Sequence, residues 1–434
     1  MFYSLLKFIV GIGIRVYYKD IRIIGKTNLP SKGPLIIIAN HPNTLMDAWV
    51  IGFVCNQPIY FMAKASFFNS KFRLWVLRKL NMIPINRAGE GKAKGIDNHQ
   101  SFEECYQLLE QGKTIVIFPE GSSYKERVLR KLKTGAARIA LEAEKRNGGD
   151  LGVKVVPMGL NYARPERFRS SILISIGQEI DVKKHLEEYA VDFIAASRNL
   201  TNEFRQELEK VLVSTSDNQQ DFLLEEVRNI LTSKYIKKNK DEFQFLRQIR
   251  DSLYAISIDN PEQLNEVRRL VQEINWKTEQ LAIKSDFLDR RFRSVMFFRQ
   301  LIFSIFALLI ATPIFFYGAF HNFVQYKLTD KVIPLITKDV EYYAPLAVLI
   351  GIVLYPLSYM GFVVLLHQLI HLPWWAKVVY FSSLPVSGLL AYYFHKYYTH
   401  IAFKWRYLFL MIDQRDSINE LHEKKQELRR VLGF

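Results

Sequence analysis

Hydrophobic and polar positions follow two different rhythms along this chain. Between residue 20 and about residue 185, short apolar runs recur: "DIRIIGK", "PLIIIAN", "PIYFMAK", "MIPINR", "KTIVIFPEG", "VKVVPMGLNY" and "ILISIGQEI". They are rich in β-branched residues and stop at Gly, Pro or Asn, as strands buried on both faces do. Between them, Ser66 to Leu80, Ile96 to Gln111 and Thr134 to Lys145 read as helices. This alternation predicts an α/β fold with a largely parallel sheet flanked by helices. Ligands of such folds sit beyond the carboxyl ends of the strands.

From residue 186 to about 297 the rhythm changes. Charged and apolar residues mix at helical spacing, as in "NEVRRLVQEINWKTEQLAIK", and predict a helical connector without chemistry of its own. The polar stretch "STSDNQQD" (Ser214 to Asp221) marks the boundary before it. Three apolar runs follow: Leu301 to Phe320, Ala344 to Ile370 and the shorter Val378 to Phe394. The first two reach the roughly 20 residues that a membrane crossing needs, so two or three spans are expected. Trp374, Trp375, Tyr392, Tyr393, Tyr397 and Tyr398 resemble an interfacial aromatic belt. The N-terminal "MFYSLLKFIVGIGIRVYYKD" has no small-residue cleavage site and carries Lys7 and Arg15, which predicts an interfacial amphipathic helix. At the other end Ile418, Leu421, Leu428 and Leu432 share one stripe. The expected organisation is an interfacial helix over 1–19, the α/β domain over 20–213, a helical connector over 214–297, transmembrane helices within 298–396, and an amphipathic helix over 397–434.

Composition narrows the partners. Hydrophobic residues at 49% exclude a disordered chain. The net charge of +16 favours nucleic acid, phosphorylated substrates or an anionic membrane. The basic stretch "KYIKKNK" comes with no aromatic platform or nucleic-acid module, so no nucleic-acid partner is expected. Cys55 and Cys105 stand alone, without disulfide or thiolate-metal spacing. His367, His371, His395 and His400 near the spans read as interfacial residues, and no metal is expected. "GEGKAKG" lacks the spacing of a nucleotide phosphate loop. Arg290, Arg291, Arg293 and Arg299 before the first span place the preceding residues on the cytoplasmic side.

Candidate chemistry gathers at strand ends. In "IIIANHPNTLMDAWV" a strand stops and His41 and Asp47 follow. A hydroxyl nucleophile needs a positioned base, and histidine suits neutral pH. A carboxylate on its other ring nitrogen fixes the tautomer and stabilises the imidazolium. Thr44 or Asn43 can cap a helix holding Asp47 in its first turn, within reach of His41. The pair alone also reads as a polar turn, with an acid placed near the helix dipole. "IVIFPEGSSYKER" ends a strand at Glu120 and Gly121, where glycine lets backbone approach a ligand. "NMIPINR" ends on Arg87, a fork-shaped donor matched to phosphate. "VVPMGLNY" ends a strand on Pro157 and Gly159.

These four motifs, in this order, resemble the glycerophospholipid acyltransferases, which include glycerol-3-phosphate and lysophosphatidic acid acyltransferases. The resemblance covers about Lys19 to Ile180, and "KTGAARIALEA" and "IGQEI" also look like family members. It implies that His41 takes the proton from an acceptor hydroxyl as that hydroxyl attacks an acyl thioester, and that Asp47 orients His41. It implies that Arg87, Glu120 and Gly121 bind or position the acceptor and its phosphate, and that Pro157 and Gly159 shape the acyl-donor side. Acyl-coenzyme A or acyl carrier protein is then a donor substrate; no cofactor, metal or covalent acyl-enzyme is implied. The partners expected are membrane lipids, the acyl donor, a phosphorylated glycerol acceptor and a second copy in a homodimer. The protein is expected to be integral to the membrane, with its catalytic domain on the cytoplasmic face.

Two departures stand out. Pro42 to Met46 put five residues between His41 and Asp47, where the family usually has four; five also resembles one fungal-type glycerol-3-phosphate acyltransferase branch. Ser122, Ser123 and Tyr124 stand where many members carry Thr or Ser and then Arg, which shifts the phosphate-binding expectation to Arg87, Lys125, Arg127 or Lys133. That change keeps another lysolipid or an amino-lipid open as acceptor. A non-catalytic membrane scaffold or transport protein is the reading from another class, and His41, Asp47, Glu120 and Gly121 argue against it.

Overall fold

A computed structural model describes residues 2–86, 97–231, 242–288, 294–306, 309 and 311–434. Arg87, "GEGKAKG", "KYIKKNK", Arg290, Arg291 and Arg293 lie outside the described residues. The chain forms two compact units, one of residues 1–216 with 337–349 and one of residues 217–336 with 350–434.

The first unit is built on an eight-stranded sheet. Its strands are β1 (Tyr18–Ile24), β2 (Leu35–Ala39), β3 (Ile59–Lys64), β4 (Met82–Ile85), β5 (Thr114–Ile117), β6 (Lys154–Tyr162), β7 (Ser170–Ile176) and β8 (Ile180–Asp181). The order is β1-β7-β6-β2-β5-β3-β4, with β8 beside β6. Pairing is parallel except where β6 meets β7 and β8. The expected mixed fold with a largely parallel sheet is what forms. Ile36, Ile38, Ile115, Ile117 and Val155 pack under α4 (Asn98–Glu110), α5 (Gly135–Arg146) and α7 (Phe193–Val211). The intervening Leu35, Ile37, Val116 and Val156 are equally buried and face the other side, because side chains alternate along a strand. On that second face lies α2 (Leu45–Val54), with α1 (Phe2–Tyr17) packed on it, while α3 (Lys71–Lys79) packs beside the edge strand β4.

One boundary differs from the sequence reading. Pro157 and Gly159 lie inside β6, which continues to Tyr162. The strand tolerates a proline because it changes neighbour there: β8 pairs with Lys154 and Val155, and β7 begins opposite Met158. The missing N–H of Pro157 falls between the two pairings, and its carbonyl accepts from Gly177 N. The Ser66 to Leu80 helix is likewise two pieces, a 3₁₀ turn over Ala65–Phe68 and then α3, whose start Ser70 caps by accepting from Arg73 N.

The second unit is helical. Helix Asn218–Leu231 and helix Pro261–Gln280 pack with the C-terminal helix Arg415–Val431. Ile418, Leu421, Leu428 and Leu432, the predicted stripe, are all buried. Val340–Ile370 is the one helical stretch among the described residues long and apolar enough to cross a membrane. The run from Leu301 to Phe320 is shared between helices Ser294–Phe306 and Thr312–Ile336, and the run from Val378 to Phe394 belongs to the 40-residue helix Trp374–Asp413. Thr312–Ile336 and Trp374–Asp413 approach closely, since a Cβ on Gly318 would lie 2.2 Å from the Ser387 carbonyl oxygen. Small residues allow such approach where apolar burial alone gives little drive.

Candidate active site

The site grows from the end of β2. Asn40 leaves the strand but stays bonded to β6, accepting from Leu160 N at 2.8 Å and donating to Leu160 O at 3.1 Å. Its side chain thus stands in for one more backbone pair. The main chain is free to turn at that point, and His41 follows. The backbone N–H of His41 donates to Glu120 Oε1 at 3.1 Å, and its carbonyl accepts from Tyr124 N at 3.1 Å. Its ring stacks on Phe118 at 4.0 Å between centroids and 10° between planes.

Asp47 is the third residue of α2, in its first turn, and is fully buried. Its Oδ2 lies 2.9 Å from His41 Nδ1 and accepts from Asn43 N at 2.7 Å; its Oδ1 accepts from Tyr162 Oη at 2.7 Å. Three donors and a helix N-terminus surround one buried charge, which offsets its loss of water. With Nδ1–H given to Asp47, His41 keeps the Nε2 lone pair for a proton. The His41 side chain is 12% exposed, enough to meet a substrate. Burial and the Asp47 charge push the Tyr162 phenol well above its usual range, so it remains a donor throughout neutral pH. Tyr162→Phe is expected to cost about 1–3 kcal/mol by stripping one partner from a buried carboxylate, and thermal unfolding measures it.

Glu120 is mostly buried, and both its oxygens are engaged: Oε1 by His41 N and Oε2 by Arg130 N at 3.1 Å. Burial raises its pKa, against the two backbone hydrogen bonds. Its carboxylate therefore ties the His41 loop to the loop after β5. Gly121 takes φ +76°. A Cβ there would lie 2.6 Å from Lys133 Nζ, so Lys133 lies across the glycine. The structure thus brings His41, Asp47, Glu120, Gly121 and Lys133 together. Ser122 is half-buried and Lys125 exposed on the same loop, while Arg127 donates to Ala163 O at 3.2 Å. Pro157 is buried in β6, and a Cβ on Gly159 would meet Val211 O at 2.4 Å. Arg87 lies outside the described residues.

Three members of the cluster, Tyr162, Phe118 and Asn43, lie beyond the site residues the sequence points to. Tyr162 and Phe118 stand inside motifs that carry other residues, and the sequence points to Asn43 only as a helix cap. A tyrosine closing a strand beside β2 was the available signal. Among the described residues no group of three or more His, Cys, Asp or Glu could hold a metal. Burial pushes the thiols of Cys55 and Cys105 up to about 12, which leaves neither as a nucleophile at neutral pH.

Comparison with known proteins follows the same stretch. Residues 20–161 match the family model described as Acyltransferase. The chain is 29% identical over 152 residues to glycerol-3-phosphate O-acyltransferase 1 of Saccharomyces cerevisiae, covering 34% of this chain and 20% of that protein. It is 26% identical over 210 residues to 1-acyl-sn-glycerol-3-phosphate acyltransferase of Borreliella burgdorferi, covering 46% of this chain and 76% of that one. Among solved structures, the 1-acyl-sn-glycerophosphate acyltransferase of Thermotoga maritima aligns with a TM-score of 0.32 at 22% identity, over 46% of this chain and 79% of that one.

Proposed function

We propose that the acyltransferase-family domain of this chain moves a fatty acyl group from an acyl thioester to the hydroxyl of glycerol 3-phosphate or lysophosphatidic acid, at a membrane. The observation that carries the reading is the 2.9 Å contact between His41 Nδ1 and the buried Asp47 inside the matched domain. His41 Nε2 takes the hydroxyl proton as the acceptor oxygen attacks the thioester carbonyl, forming the C–O bond. Asp47 stabilises the imidazolium. The C–S bond then breaks, and the imidazolium returns its proton to the departing thiolate.

In this reading Glu120 and Gly121 shape the acceptor side through the backbone they hold, and Lys133, Ser122, Lys125 and Arg87 supply its phosphate ligands. Pro157 acts from within the sheet. The donor is acyl-coenzyme A or acyl carrier protein. The product and one substrate are lipids, which favours a membrane-bound enzyme. We place its catalytic domain at the cytoplasmic face, its two or three spans within 298–396, and a homodimer as its assembly. The matched region is only a fifth of the yeast relative's length, so acceptor and donor follow from chemistry and likeness together.

A second acceptor class, another lysolipid or an amino-lipid, is favoured by one observation: Arg127, the arginine nearest the family's usual position, donates to Ala163 O. Purified full-length protein, incubated with acyl-coenzyme A or acyl carrier protein and each acceptor separately, tests both. Transfer to glycerol 3-phosphate or lysophosphatidic acid is the expected result. Transfer confined to another lysolipid moves the reading to the second class, and transfer to none of them from either donor overturns it.

A further inference from the structure

At the β4 edge of the sheet, α3 rests on Val76 and Leu77, both half-buried, and turns its other apolar side chains outward. None of its nine residues is buried, yet Phe72, Leu74 and Trp75 are among them, at 72%, 41% and 57% exposure. A short helix ordinarily owes its stability to an apolar face laid on something. Lys71, Trp75 and Lys79 follow one another at intervals of four and so form one row. Phe72 stacks on Trp75 at 6.5 Å between ring centroids. Aromatic rings between flanking lysines match the headgroup region of a bilayer, where rings enter and ammonium groups reach the phosphates.

Charge identifies the kind of bilayer. Residues 48–89 contain no Asp or Glu, while Lys64, Lys71, Arg73, Arg78, Lys79 and Arg87 fall there. Arg78 is taken by Glu104 and Arg73 donates to Asn69, but Lys71 and Lys79 are exposed. In the same unit α1 also turns Leu5, Phe8, Ile12 and Val16 outward, all more than 40% exposed. A symmetric contact between two copies would set like charges against each other. We propose that α3 docks on anionic lipid, with Trp75 and Phe72 entering the interface and Lys71 and Lys79 binding lipid phosphates. The inference takes from the preceding reading only that the protein works at a bilayer, and its test needs no turnover.

Both native cysteines are buried, so a single surface cysteine can be labelled selectively. Leu74→Cys on α3 and Asn202→Cys on α7 would each carry an environment-sensitive fluorophore on the full-length protein. The chain would be reconstituted in vesicles of phosphatidylcholine, with or without phosphatidylglycerol, containing doxyl-quencher lipid. We expect quenching at position 74 at least about twofold stronger with phosphatidylglycerol, reduced by added salt and by Lys71→Glu with Lys79→Glu, and no quenching at 202. Quenching at 74 no greater than at 202 overturns the proposal. So does equal quenching in both lipids, or a signal that follows protein density rather than lipid. An inactive protein that passes this test leaves α3 docked and acyl transfer refuted.

Discussion

Replacing His41 with alanine lowers kcat for acyl transfer about 10²–10⁴-fold, the usual contribution of a positioned base, and costs about 1–3 kcal/mol of stability, since one of the three donors to the buried Asp47 is lost, without unfolding the domain. The two halves of this expectation have separate causes. The rate falls because Nε2 is the group placed to take the hydroxyl proton, and Cys55 and Cys105 are buried thiols with pKa values pushed up to about 12. The fold persists because residue 41 is anchored by its backbone, whose N–H meets Glu120 and whose carbonyl meets Tyr124, and alanine keeps both bonds. Steady-state kinetics with glycerol 3-phosphate and lysophosphatidic acid, beside a melting curve, read the two. A rate near that of the parent removes His41 from the mechanism.

Asp47→Ala should damage both quantities. It removes the acceptor of His41 Nδ1, Asn43 N and Tyr162 Oη. Asn43 and Tyr162 are buried, and each stranded donor costs about 1–3 kcal/mol. The melting temperature should fall by roughly 4–24 °C at about 2–4 °C per kcal/mol for a unit of this size. Activity should fall about as far as for His41→Ala, since the ring loses the partner that holds its tautomer and orientation. Asp47→Asn, which keeps one accepting oxygen, should melt between the two. A normal melting curve for Asp47→Ala would show that the three donors find other partners, and the buried cradle would lose its support.

The sheet was legible because its strands are short β-branched runs with clear stops, and seven such segments gave all eight strands. Strand ends were less so. Pro157 looks like a terminator, yet it sits where β6 exchanges one neighbour for another, and only tertiary pairing reveals that the missing N–H is harmless there. His41, Asp47 and Glu120 could be picked out as polar residues after apolar strands. Their partners could not. Tyr162 reaches Asp47 from 115 residues away because β6 lies beside β2, an adjacency that strand order decides and local pattern does not. The long apolar runs predict two or three membrane spans from length and composition, and among the described residues one helical stretch, Val340–Ile370, is long and apolar enough to cross a membrane.

The stretch from Pro42 to Met46 is suspended between two independent moorings. Upstream, Asn40 grips β6 and the His41 amide grips Glu120; downstream, α2 and Tyr162 hold Asp47. Within the span Asn43 adds a third hold, its amide donating to Asp47 Oδ2 and its side chain to Tyr18 Oη and the Pro165 carbonyl. Slack can therefore be taken up at the Pro42 turn, ahead of Asn43, without moving either end, as a longer rope leaves two posts where they stand. The interval between acid and base is then a poor ruler for descent or substrate, and the better signature of this site is the pair of moorings: an asparagine closing β2, and a tyrosine closing its neighbour.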